Sequence, residues 1–315
     1  MMYINAIGYY IPQGRVDNDH FLGINGLTSD WIVQRTGIRT RSIVGEGEGA
    51  NSMGLAAIED ALRTLPYDIT EVDFIIQADY SPYDTVATIA HIAQQKYNID
   101  GAKAVYASSA CSSFVNGLEI IEGYFAMGKA TKALLICSEH NTYYANESDP
   151  KCGHLWGDAA VAYFVSKEPV ADTDMTIKGI YTCGLGNIGH GPDGVNLRPR
   201  DGGIMMPYGK DVFVRACHYM VHSLEKVATP NGMKVTDIDY IICHQANLRI
   251  VKNVERQLGI TADRFLNNIE ELGNTGSASA ALVLAQNVGR YPKGTTFGLT
   301  VFGGGYSCGA FLVEK

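Results

Sequence analysis

The stretch Ile69-Thr70-Glu71-Val72-Asp73-Phe74-Ile75-Ile76-Gln77-Ala78 is nearly repeated 166 residues later, as Val235-Thr236-Asp237-Ile238-Asp239-Tyr240-Ile241-Ile242-Cys243-His244. In each copy a short acidic turn feeds an apolar, β-branched run, the pattern of a loop entering a buried strand. An echo at this distance points to one βαβ-type unit used twice. The same offset carries Cys111, in Ser108-Ser109-Ala110-Cys111-Ser112-Ser113-Phe114, onto Ser277, in Gly273-Asn274-Thr275-Gly276-Ser277-Ala278. Two copies of a scaffold thus put different side chains at equivalent places, and chemistry is expected where they differ.

The rest of the chain alternates strand and helix patterns around the echo. Strands are expected at Tyr3–Tyr10, Ala104–Ser109, Ala133–Ser138, Ala159–Val165, Tyr240–Cys243, Thr296–Val301 and Ala310–Val313. Helical spacing marks Trp31–Thr36 (capped by Ser29-Asp30), Asn51–Leu65, Ala87–Tyr97, residues 112–127, Val212–Val227, Leu248–Leu258 and Ser277–Val288. This alternation predicts an α/β fold, with two similar sheets stacked and helices between and outside. The expected division is 1–170 and 171–315, two halves sharing a core without a disordered linker. Residues 182–203, rich in glycine and without periodicity, read as a plain surface loop.

Composition narrows the function. Apolar residues make up 46% and charged residues only 18%, with 35 glycines, as suits extensive buried sheet and a subunit interface. A net charge of −8 argues against general nucleic-acid or membrane-surface binding. The seven cysteines are odd in number, widely spread and without a CxxC pair, so they form neither a disulfide framework nor a zinc site. No signal-peptide pattern opens the chain and no apolar run reaches membrane-spanning length, so a reduced, cytoplasmic setting is expected.

Cys111 stands where a strand gives way to a helix, among small residues. There the helix dipole and free N–H groups favour a thiolate, lowering the thiol pKa, and the same amides suit an oxyanion at a thioester carbonyl. Taken alone, one more buried cysteine is an equally good reading. His244 follows the second echo strand, at the strand end where such folds present their sites. Asn274 precedes a helix, where an ordinary cap or turn is the plainer reading. The turn Phe302-Gly303-Gly304-Gly305-Tyr306-Ser307 lets backbone approach a ligand closely.

In this order, Ala110-Cys111-Ser112, His244-Gln245-Ala246-Asn247-Leu248-Arg249-Ile250, Gly273-Asn274-Thr275 and Phe302-Gly303-Gly304-Gly305 closely resemble the β-ketoacyl-acyl-carrier-protein synthase III family. Asp30-Trp31-Ile32-Val33-Gln34-Arg35-Thr36-Gly37-Ile38 is similar to that family's N-terminal motif, and the resemblance runs from about residue 3 to the end. It implies a thiolase-like fold, duplicated βαβ halves in α-β-α-β-α layers, and a homodimer. It also implies that Cys111 takes an acyl group from acyl-CoA, with His244 and Asn274 donating to the malonyl-acyl carrier protein thioester and the N–H groups of Cys111 and Gly304 holding the oxyanion. Trp31, Arg35, Lys151, Gly209 and Asn247 match CoA or substrate positions. Arg249, Lys252 and Arg256, extended by Lys210 and Arg215, would meet an acidic acyl carrier protein. No cofactor is implied, since CoA and carrier protein are substrates.

The chain also departs from the family pattern. Lys151 stands where the family commonly has an arginine against the adenine, so a carrier protein is the alternative acyl donor. Val86 takes the place of a bulky residue that limits the acyl pocket, Ser113 that of the glycine after the nucleophile, and Cys308 that of an aromatic. A same-fold secondary-metabolite enzyme, condensing or simply transferring an acyl group, is the main rival. A metalloprotein built on His218 and His222 lacks a third ligand, and no metal is expected.

Overall fold

A computed structural model describes residues 1–315. Its strands are β1 (Met2–Tyr10), β2 (Gly14–Asp17), β3 (Thr40–Ile43), β4 (Phe74–Ala78), β5 (Lys103–Ala107), β6 (Lys132–Glu139), β7 (Ala159–Ser166), β8 (Met175–Gly184), β9 (Asn196–Arg198), β10 (Gly203–Met205), β11 (Tyr240–Cys243), β12 (Thr296–Gly303) and β13 (Ser307–Glu314). Its helices are α1 (Asp19–Asn25), α2 (Ser29–Thr36), α3 (Ala50–Leu62), α4 (Ile89–Lys96), α5 (Ser113–Ala126), α6 (Asn141–Tyr144), α7 (Gly209–Ala228), α8 (Leu248–Leu258), α9 (Ile269–Leu272) and α10 (Ser279–Asn287).

Side-chain parity explains the layers. In β4, Phe74, Ile76 and Ala78 point into a core shared with Phe114 and Leu118 of α5 and Leu282 of α10, while Ile75 points the other way, toward Ala57 of α3 and Ala93 of α4. In β11, Ile242 points into that same inner core, and Ile241 and Cys243 face Met220 of α7 and Val254 of α8. A strand buried on both faces must be apolar on both parities, which is why each echo reads as a continuous apolar run. The result is α3 and α4, a sheet, α5 and α10, a sheet, then α7 and α8. The two groups of strands are not separate. They join edge to edge through β1 and β8 into one nine-stranded ladder, in the order β11-β12-β13-β8-β1-β7-β6-β4-β5.

The echo is visible as geometry. Ile69–Glu71 and Val235–Asp237 each form a 3-10 turn that feeds its strand. Asp73 accepts from the backbone N–H and hydroxyl of Thr131, at 2.8 and 2.9 Å, just before β6. Asp239 accepts the same pair of bonds from Thr296, both at 2.8 Å, at the start of β12. Each copy thus uses an aspartate to latch its echo strand to a neighbouring strand.

Three expectations need correction. The cap of α2 is Thr28, whose hydroxyl accepts from the Trp31 N–H at 3.3 Å, rather than Ser29-Asp30. The strand β8 went unforeseen because Met175–Gly184 mixes lysine, glycine and threonine and is only half-buried along most of its length. Residues 182–203 are not a plain surface loop: they finish β8 and then form β9, which pairs with β10 and helps wall the site described next.

Candidate active site

Cys111 sits on a tight connection between β5 and α5. Ala110 just before it has φ +52°, a left-handed conformation that a residue with a Cβ rarely adopts. Ser113 braces the turn: its hydroxyl donates to the Ala110 carbonyl at 2.6 Å and accepts from the Ser109 N–H at 2.9 Å. The serine in the family's glycine position therefore has a local task. The glycine turn closes over this loop. A Cβ on Gly303 would lie 2.9 Å from the backbone of Ser109, Cys111 and Ser112, so only glycine permits the approach. Ser112 donates to the Ser307 carbonyl at 3.1 Å, and Ser307 donates back to the Ser109 carbonyl at 3.0 Å. This packing directs the N–H groups of Cys111 and Gly304 at the Cys111 sulfur.

His244 and Asn274 are fully buried and tied to one turn. The His244 N–H continues the ladder to the Thr300 carbonyl at 2.8 Å, which fixes the backbone. Its Nδ1 lies 2.6 Å from Ser279 Oγ, and that oxygen also accepts from the Gln245 N–H at 3.3 Å. The Ser279 proton then has one acceptor, Nδ1, so the ring proton resides on Nε2 and faces outward as a donor. Asn274 is fixed in the same manner. Its Oδ1 accepts from the Gly276 N–H at 3.0 Å, leaving the Nδ2 amide as the unengaged donor. Its backbone is pinned by the Leu155 carbonyl at 2.8 Å and the Gly157 N–H at 3.0 Å.

Two residues the sequence did not single out join these groups. The Tyr80 phenol faces the Cys111 sulfur, and its oxygen would lie 2.7 Å from a Cβ placed on Gly276. Glu139, fully buried, accepts from the N–H groups of Tyr80 (3.4 Å), Ser81 (3.1 Å) and Ser277 (3.1 Å), and from the hydroxyls of Ser81 and Ser277. Ser277, the counterpart of Cys111 in the echo, thus spends its hydroxyl on a carboxylate that ties the two halves. A glutamate closing the largely apolar strand β6, Lys132–Glu139, is the available signal.

Burial dominates the electrostatics. It pushes the Cys111 thiol up to about 12, helped by the negative charge of Glu139, and outweighs the donors aimed at the sulfur. The expectation of a lowered thiol pKa is therefore overturned: a helix dipole is a partial charge, and desolvation of a thiolate is the larger effect here. Burial pushes His244 down to about 4. The resting site holds a neutral thiol and a neutral imidazole.

A cavity of about 280 Å³ opens beside Cys111, lined by Tyr80, Trp156, Val195, Asn196, Leu197, Ile204 and Gly304 among others. Residues 107–181 match the family model for 3-oxoacyl-[acyl-carrier-protein] synthase III, and residues 229–315 match the model for its C-terminal part. A β-ketoacyl-[acyl-carrier-protein] synthase III of Oleidesulfovibrio alaskensis is 30% identical over 99% of this chain and 98% of its own. The chain belongs to the β-ketoacyl-acyl-carrier-protein synthase III family. Among solved structures, the synthase III of Aquifex aeolicus superposes with a TM-score of 0.92 at 28% identity, covering 100% of both chains. The priming β-ketosynthase of the R1128 polyketide pathway gives 0.90 at 26%, covering 100% of this chain and 96% of that one. The thiolase-like fold follows, and as a synthase III the protein is a condensing transferase of the fatty-acid synthesis type.

The remaining residues fall on the surface of this synthase III scaffold. Trp31 is half-exposed on α2, with the Arg35 guanidinium 5.5 Å from its ring centroid, and Lys151 is exposed nearby in sequence to the buried Cys152–Asp158 segment. Gly209 begins α7, and Asn247 caps α8 by accepting from the Arg249 N–H at 2.8 Å. Arg249, Lys252 and Arg256 are exposed on α8, with Arg249 5.7 Å over the Phe213 ring. Lys210 is exposed, whereas Arg215 is already paired with Asp211 at 3.3 Å. Val86 does not line the cavity of its own chain: its turn is held by Asp84, and the side chain is 82% exposed. His218 and His222 stack at 6.4 Å on α7, with no third ligating group beside them. No helix is long and apolar enough to cross a membrane.

Proposed function

We propose that this synthase carries an acyl group on Cys111 and condenses it with the carbon freed by decarboxylation of malonyl-acyl carrier protein. What supports the proposal is that two donor sets stand ready, one at Cys111 and one on His244 and Asn274. The N–H groups of Cys111 and Gly304 are aimed at the sulfur, and the Nε2–H of His244 and Nδ2 of Asn274 are held without protein partners.

In the first half-reaction the Cys111 sulfur attacks the donor thioester carbonyl. The amides of Cys111 and Gly304 hold the oxyanion, the donor's C–S bond breaks, and the thiol proton leaves on the departing thiol. In the second, the malonyl thioester oxygen accepts from His244 and Asn274. The carboxylate leaves as carbon dioxide, its electron pair forms the enolate, and the enolate carbon attacks the acyl carbonyl. Collapse expels the Cys111 sulfur as thiolate, which takes a proton from solvent. Decarboxylation asks for donors aimed at the oxygen that gains charge, which is what a neutral His244 and a fixed amide supply.

Trp31, Arg35 and Lys151 would hold the adenine and phosphates of a CoA donor by stacking and charge. The exposed row Arg249, Lys252 and Arg256, with Lys210, would meet an acidic carrier protein. A homodimer is part of the proposal, with the exposed Tyr83 and Val86 as a patch for it, and so is a cytoplasmic setting. A secondary-metabolite product is the second reading, favoured by the likeness to a polyketide priming ketosynthase.

Intact-mass measurement after exposure to a panel of acyl-CoA and acyl-carrier donors tests the covalent step. A single acyl adduct on the wild type that is lost in Cys111→Ala is expected. An equal adduct on Cys111→Ala, or none from any donor, contradicts the proposal.

A further inference from the structure

Tyr80 puts a phenol hydroxyl into the wall it shares with Cys111, where packing leaves it little freedom. Both residues line the same cavity. The Tyr80 N–H is held by Glu139 at 3.4 Å, and the phenol oxygen lies against Gly276, 2.7 Å from where a Cβ on that residue would sit. Gly276 has φ +61°, and glycine alone combines that backbone with room for the phenol. Its N–H is the one that holds Asn274 Oδ1, at 3.0 Å. The phenol oxygen is closed off from solvent and has no nitrogen or oxygen partner. The group it faces is the Cys111 sulfur.

Sulfur accepts a hydrogen bond weakly as a thiol and strongly as a thiolate. A phenol aimed at it therefore counts most when the sulfur carries charge, which is the difference that accelerates a reaction. Tyr80 keeps its proton for this purpose. Burial, then the negative charge that Cys111 and Glu139 bring, pushes the phenol well above its ordinary value, so it is a donor and not a base.

The reaction supplies the moment at which the sulfur is charged. While the tetrahedral adduct stands, the N–H groups of Cys111 and Gly304 are committed to the oxyanion. On collapse the C–S bond breaks and its electron pair passes to the sulfur, where burial and Glu139 both oppose a thiolate. The Tyr80 O–H is a donor that the oxyanion does not claim. We infer that Tyr80 is a catalytic residue, whose hydroxyl donates to the Cys111 sulfur as charge develops there and eases both its attack and its expulsion. The phenol proton stays on Tyr80 throughout, and solvent protonates the freed thiolate. This role rests on the acyl-Cys111 reading for its place in the reaction, while the hydrogen bond itself is open to test in the free enzyme.

Tyr80→Phe keeps the ring and removes the donor. Iodoacetamide labelling of Cys111 in the free enzyme, read by peptide mass analysis from about pH 7 to about pH 10, reports the effect on the sulfur. Losing a hydrogen bond to a charged group lowers the thiolate fraction by about ten- to a hundredfold. A more basic thiolate is a better nucleophile, which returns part of the loss, so labelling should slow by about three- to tenfold at each pH. Damage to the site has the opposite sign: burial holds the thiol up, so a loosened site labels faster. Equal or faster labelling in the variant overturns the inference. Single-turnover loss of a preformed acyl adduct to malonyl-acyl carrier protein should slow by about tenfold or more. An unchanged turnover with slowed labelling overturns the catalytic role. Should Tyr80→Phe fail to fold, 3-fluorotyrosine placed at Tyr80 keeps the packing and strengthens the donor. Faster labelling than the wild type near neutral pH then supports the inference, and an equal or slower rate overturns it. A wild type that no donor acylates overturns the acyl-Cys111 reading, and the labelling rates still decide whether Tyr80 donates to the sulfur.

Discussion

Alanine at His244 or Asn274 is expected to lower carbon dioxide release from malonyl-acyl carrier protein by about a hundred- to a thousandfold. On the proposed mechanism, each change removes one of the two donors meant for the thioester oxygen where charge develops. Ser279 and Gly276 hold these donors in place before substrate arrives, so no reorganisation is needed during the reaction. The measurement is release of labelled carbon dioxide from carboxyl-labelled malonyl-carrier protein, with and without an acyl donor. A loss below about threefold in both variants would mean that neither group touches the enolate. Because His244 is held down to about 4 by burial, it stays neutral across the working range. Decarboxylation is accordingly expected to show no inflection near pH 6.5, the ordinary histidine value.

Alkylation of Cys111 in the free enzyme is expected to be slower than that of an exposed cysteine by about a thousandfold at pH 7. The thiol is held up at about 12, against its ordinary value of 9.0, so the thiolate fraction falls by about that factor. The sign is set by burial and by the negative charge of Glu139, both of which oppose the thiolate. Below that pKa the rate rises about tenfold per pH unit, without a plateau through pH 10. Iodoacetamide labelling followed by peptide mass analysis gives the profile, since six other cysteines must be kept apart from Cys111. A plateau near neutrality would show a preformed thiolate and remove burial as the controlling effect.

What was legible in the sequence is what short segments specify. The echo at residues 69–78 and 235–244 announces buried strands because both parities are apolar, and the structure places those strands between helices on either side. Cys111, His244 and Asn274 lie where a strand ends or a helix begins, positions that local patterns mark well. Glu139 and Tyr80 were not legible as site residues, because their roles depend on partners far away in the chain. The Glu139–Ser277 bond spans 138 residues and the Glu139–Ser81 bond spans 58. The ribbon of β9 and β10 was missed because three-residue strands carry no usable periodicity. The local helix dipole misleads at Cys111 for a related reason: it leaves out burial created by Gly303, Tyr80 and Val195 from elsewhere.

On the proposed mechanism, an acyl group on Cys111 is consumed by a carbanion made through decarboxylation. Enzyme acylated on Cys111 and freed of donor, then mixed with carboxyl-labelled malonyl-acyl carrier protein, tests it in a single turnover. Loss of one acyl adduct per labelled carbon dioxide released, with a β-ketoacyl thioester formed in equal amount, is the predicted result. An adduct that persists while carbon dioxide is released, or one that leaves without any release of label, would contradict the account.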